Sequence, residues 1–77
     1  MVQIAAIDQY IIDEVRKKRV AMKMTQDDLA DSLKVSKGFI GNIESPKYID
    51  KYSMAQINEL AKIFKCSPRD FLPEKPL

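Results

Sequence analysis

Two short amphipathic segments separated by only three residues constrain this chain more than any other feature. The first, 26–33, follows Thr25 and sets Leu29 and Leu33 four apart on one side. Thr25 is a good N-cap because its hydroxyl can accept a backbone amide that the helix leaves unpaired, and Asp28 suits the positive helix end. Lys34-Val35-Ser36 then interrupts, and Ser36 can cap a second segment from 37 to about 44 with Ile40 and Ile43 as its inner side. Helices this short are marginal in water on their own. Each must lean on a neighbour, and so short a connection makes the two cross at a tight turn. Ala30 supplies the small residue that such a crossing needs. Leu29, Leu33, Val35, Ile40 and Ile43 can then form the wedge that sets the angle.

The rest of the chain also reads as helix. Ile7, Ile11 and Val15 fall at successive four-residue steps, and acids precede bases between Asp8 and Arg19, which matches the helix dipole; helix 1 is expected at 7–22. The run Arg16-Lys17-Lys18-Arg19 reads as a solvated, dipole-matched helix end, with a dedicated basic patch as the alternative. Residues 45–52 read as a loop, since Pro46 disfavours helix at Ser45. Ser53 and Gln56 make a capping box for helix 4 at 54–64, carrying Ile57, Leu60, Ala61 and Phe64. Ser67-Pro68-Arg69-Asp70 opens a short fifth helix anchored by Phe71 and Leu72. The expectation is one all-α domain over 1–77, five helices in all, with 1–6 and 73–77 as flexible ends.

Composition narrows the function classes. The net charge is only +2, so any nucleic-acid case rests on where the cations sit. There is no histidine, no nucleophile beside a base and no glycine-rich phosphate loop, so an enzyme is not expected, nor a cofactor or metal. No apolar run approaches the roughly 18 residues of a membrane span, and the first eight residues lack the basic start and long apolar core of a signal peptide. The single cysteine, Cys66, cannot form an internal disulfide, which fits a reducing cytoplasm. It reads as a packing residue, and Met22 and Met24 read as core filler.

The residues resemble the Cro/C1-type (Xre) helix-turn-helix family, which includes small phage repressors. The resemblance covers roughly residues 15–72. Met24-Thr25-Gln26-Asp27-Asp28-Leu29-Ala30 looks like the family's opening stretch. Val35-Ser36, Ile40, Ile43-Glu44, Leu60-Ala61, Phe64, Cys66-Ser67 and Phe71-Leu72 continue it. The set is specific, although each match alone is weak. The resemblance implies a lambda-repressor-like fold with its helix-turn-helix at about 26–44. It also implies an ion pair between Arg19 and Glu44 that locks helix 1 to helix 3. Two departures stand out: Lys34 replaces the usual turn glycine, and Ser45-Pro46 opens a longer loop.

By the same resemblance, helix 3 reads the major groove of double-stranded DNA. The implied DNA-binding residues are Thr25, Gln26, Ser36, Lys37, Gly38, Phe39, Gly41, Asn42 and Lys47. Gln26 touches the DNA backbone or a neighbouring base. Lys37 can meet guanine or a phosphate, and Asn42 adenine or the backbone. Phe39 either meets a thymine methyl or packs under the loop. Lys47, Tyr48, Lys51 and Tyr52 in the loop combine cations and aromatics that can grip phosphates, form a dimer contact or sit in solvent, and Lys23 is a further phosphate candidate. Gly38 and Gly41 remove side chains from the reading face. Either the backbone approaches DNA closely, or shape carries more of the specificity, or the surface has turned to a protein partner. The leading expectation is a transcriptional regulator, repressor or autoregulator, acting as a homodimer in a prokaryotic or phage-like cytoplasm. The alternative is a protein-interaction module or antitoxin-type partner on the same fold.

Overall fold

Thr25 and Ser53 start their helices through reciprocal bonds made within three residues. Thr25 Oγ1 accepts from the Asp28 amide at 3.0 Å, and Asp28 Oδ2 accepts from the Thr25 amide at 2.9 Å. The Thr25 amide first, and its hydroxyl second, hold the Asp28 carboxyl below its ordinary range. Ser53 and Gln56 repeat the arrangement at 3.1 and 2.8 Å. The computed structural model, which describes residues 3–77, contains α1 (Ala6–Ala21), α2 (Gln26–Leu33), α3 (Lys37–Glu44) and α4 (Met54–Phe64). Met1 and Val2, within the expected flexible start, lie outside the described residues.

A fifth α-helix does not form. Pro68–Phe71 is a single 3-10 turn, opened by Ser67, whose hydroxyl accepts from the Arg69 amide at 3.3 Å. Two prolines explain it: Pro68 supplies a ready first position, and Pro73 disfavours helical backbone at Leu72. One turn has no length over which to propagate. The described residues therefore hold four α-helices and one 3-10 turn, all-helical as expected but one α-helix short.

The elements close into a circuit. α1 packs on α3, α3 on α2, α2 on α4, α4 on the 3-10 turn, and the turn back on α1. The enclosed core is built on Val15, Leu29, Ile40, Leu60 and Phe71, all fully buried, with Ala30 sealed where α2 crosses α3. Phe71 completes it from the C-terminal side, tilted against Phe64 at 6.2 Å between ring centroids.

Three apolar expectations need correction. Ile7 is exposed, and Ile12 joins Ile11 and Val15 as the buried residues of α1. Leu72 and Met22 are also exposed, Met22 because α1 ends one residue before it. Met24 and Cys66 rest against the core, where burial pushes the Cys66 thiol up from its ordinary range.

Candidate nucleic-acid interface

The turn between α2 and α3 is made by backbone rather than by glycine. Lys34 takes left-handed φ 62° and ψ 45°, which lets the Val35 amide donate to the Ala30 carbonyl at 3.0 Å. This closure satisfies carbonyls that the end of α2 would otherwise leave unpaired. Ser36 then begins α3 with extended backbone and makes no side-chain cap bond. Ser36 is exposed, and the first amides of α3 stand at the positive end of the helix, with no acid in its first turn. The N-terminus of α2 differs: Asp27 and Asp28 stand there, and Asp28 is consumed in the cap.

Glu44, at the last position of α3, ties three elements together. Arg19 donates from Nε to Glu44 Oε2 and from Nη2 to Oε1, both at 2.9 Å. Its Nη1 donates to the Met24 carbonyl at 2.8 Å. Only 11% of the Arg19 side chain and 4% of the Glu44 side chain are exposed, so the fork-on-fork geometry replaces lost hydration. Arg16 adds a looser contact to Glu44 at 3.9 Å, and Gln26 Nε2 donates to Glu44 Oε1 at 3.1 Å. Behind the pair lies Tyr52, a buried side chain whose hydroxyl has no partner among the described residues. Burial first, and the Glu44 charge second, push the Tyr52 phenol well above its ordinary range.

The cation run of α1 is part solvated helix end and part contact: Arg16 and Lys17 stay largely exposed, and Lys18 and Arg19 fall in the last turn. Lys17 pairs with Glu14 at 3.0 Å, which raises its pKa, Lys18 lies 5.6 Å above the Phe71 ring, and Arg16 and Arg19 turn to Glu44. Lys18, Arg16 and Arg19 tie α1 to the 3-10 turn and to α3, while the Lys17 pair stays within α1.

The implied contact residues divide by place. Gln26, Ser36, Lys37, Gly38, Gly41 and Asn42 share the surface made by the N-terminus of α2 and the outer side of α3, opposite Ile40 and Ile43. Lys37 Nζ stands 4.0 Å from Asp27 Oδ2, both well exposed, a contact worth little and easily given up. Thr25 spends its acceptor on the cap. Phe39 is half-buried and packs against the core. Lys47 and Tyr48 stand exposed in the loop after α3. Tyr52, expected among the loop's exposed aromatics, is instead core, and Lys51 turns to Asp8 at 3.4 Å. The sequence reading missed the contacts of Arg16 and Gln26 with Glu44 and the burial of Tyr52. For Arg16 and Gln26 the only trace in the sequence is helical spacing, which names a side of a helix but not its partner; Tyr52, in the loop before α4, leaves no such trace.

Two short helices locked at a tight turn, with the outer side of the second left open, define a helix-turn-helix protein. The sequence matches the helix-turn-helix family HTH_3 over residues 15–71, and the chain belongs to that family, of the Cro/C1 type. Its function class is DNA-binding transcriptional regulation. Two solved structures share the fold. The restriction-modification controller protein C.AhdI from Aeromonas hydrophila aligns with TM-score 0.69 and 22% identity over 82% of this chain and 92% of that one. The hypothetical transcription factor NHTF from Neisseria aligns with TM-score 0.74 and 14% identity, over 95% and 90% respectively. No curated protein matches the sequence. No helix among the described residues is long and apolar enough to cross a membrane.

Proposed function

We propose that this protein reads a specific double-stranded DNA site by laying α3 in the major groove, and that it acts as a repressor or autoregulator of transcription. The observation that carries the proposal is the division of α3 itself. Ile40 and Ile43 are buried and the Glu44 carboxylate is bonded to Arg19, while Lys37 and Gly38 stand exposed. A helix held this firmly can enter a groove about 12 Å wide without losing its angle. Phosphate contacts come from the Ser36 hydroxyl, the first α3 amides, Lys37 and Lys47, since a helix N-terminus receives anions well. Thr25 offers its hydroxyl hydrogen to the flanking backbone, and Asn42 offers its amide to a base.

So small a reading face presents few base contacts, and two copies on half-sites about one helical turn apart multiply them. The shared fold with a restriction-modification controller and a transcription factor supports the regulatory role. The test is a titration into a duplex carrying the region upstream of the protein's own gene, beside a random duplex, at two salt concentrations. The expected result is preference for the upstream duplex, weakened by salt and sharply reduced in the Lys37→Ala/Asn42→Ala double variant. Absence of binding to either duplex by folded protein at low salt contradicts the proposal.

A further inference from the structure

Gly38 and Gly41 bring no side chain to the reading face, yet the two are not equivalent. Among the described residues nothing lies within 4 Å of a Cβ built on Gly38, whereas one built on Gly41 meets Gln26 Oε1 at 3.3 Å. The space above Gly41 is therefore filled from the neighbouring helix. Gln26 reaches across it and donates Nε2 to Glu44 Oε1 at 3.1 Å. A carboxylate only accepts, so the amide nitrogen must face Glu44 and the amide oxygen must face Gly41. Glu44 is itself held by the two Arg19 bonds. The Gln26 amide is thus fixed in direction before any DNA arrives, although the residue is exposed.

One N–H of that amide is spent on Glu44. The second N–H and the oxygen remain, an adjoining donor and acceptor. In the major groove this pair matches adenine, whose N6 amine donates and whose N7 accepts. We propose that Gln26 selects an A·T pair in each half-site, beside the contacts that α3 makes, and that Gly41 is the positioning residue that lets it do so. This deepens the DNA-binding reading above and rests on it. Readout is then shared between α3 and the helix packed beside it.

The test selects duplexes from a randomised pool with the full chain and then measures each base preference for the wild type, Gln26→Ala and Gly41→Ala, all first checked for folding by circular dichroism. The wild type is expected to require adenine at one position per half-site. Gln26→Ala should lose that preference alone, by roughly 5- to 150-fold, the range a bidentate amide–adenine pair commands. Placing 7-deazaadenine there should weaken the wild type and leave Gln26→Ala unaffected. Gly41→Ala, which displaces the Gln26 oxygen, should erode the same position and no other. Uniform weakening of all sequences by Gln26→Ala would make Gln26 a phosphate contact and overturn this inference while DNA reading stands. Unchanged adenine preference in Gly41→Ala would overturn the positioning role. Failure of the wild type to select any sequence would remove the DNA reading and this inference together.

Discussion

Lys23, Lys34 and Lys65 hold left-handed backbone at φ 58°, 62° and 56°, and each follows the end of an α-helix. Their amides and the next ones return to the helix: Val35 to Ala30 at 3.0 Å, Cys66 to Ala61 at 2.9 Å, Met24 to Arg19 at 3.0 Å. A residue with a Cβ is strained in this conformation, and glycine is not. Lys34→Gly is therefore expected to stabilise the protein by about 1 kcal/mol, seen as a thermal midpoint raised by roughly 4–8 °C. Tyr52 gives a pH prediction. Its folded pKa is raised, so the folded state holds the phenolic proton more tightly than the unfolded chain does. That stability is complete below the unfolded value near 10 and is lost as pH rises above it, by about 1.4 kcal/mol per unit. Urea unfolding between pH 8 and 11 should fall more steeply for the wild type than for Tyr52→Phe. At neutral pH, Tyr52→Phe should be neutral or stabilising by about 1 kcal/mol, since it removes a buried hydroxyl without a partner.

At the scale of the element, α3 separates two glycines that look alike in the sequence. Alanine gains about 0.8–1 kcal/mol over glycine inside a helix. Gly38→Ala should realise most of that gain, because open space surrounds it. Gly41→Ala should be close to neutral, because the gain is offset by disturbing the Gln26–Glu44 bond, worth about 0.5–1.5 kcal/mol. Urea midpoints of the two variants, compared under one condition, check the difference. The same element shows what a sequence makes legible. Helix starts are read reliably at Thr25 and Ser53 because their capping partners lie three residues away. The inner and outer sides of α3 follow from the spacing of Ile40 and Ile43. The occupant of the space above Gly41 does not, because Gln26 is fifteen residues away and reaches it only once the crossing angle of α2 and α3 is set. The fifth helix misled for a related reason: the Ser67 cap and Pro68 announce a start, but Pro73 leaves a single 3-10 turn.

At the scale of the whole molecule, stability and presentation of the reading face depend on the same closed circuit. Phe71 joins the 3-10 turn to the core that α1 and α4 share, so Phe71→Ala should cost about 3–5 kcal/mol. For a domain of this size that is a large share of the total, and the calorimetric transition should fall accordingly. Glu44→Ala should cost about 3 kcal/mol by leaving the Arg19 guanidinium without its partner. It should also free α1 from α3. Ionic ties that join α1 to α3 and leave α3 open on its outer side are what let so small a protein hold a rigid reading helix. The most direct test of that account is a map of backbone amide chemical shifts as a duplex bearing the selected site is added. Changes are expected to concentrate at Thr25, Gln26, residues 36–42 and Lys47, with the outward side of α1 around Tyr10 and Val20 silent. Changes centred on that side of α1, or a duplex bound with α3 unperturbed, would contradict it.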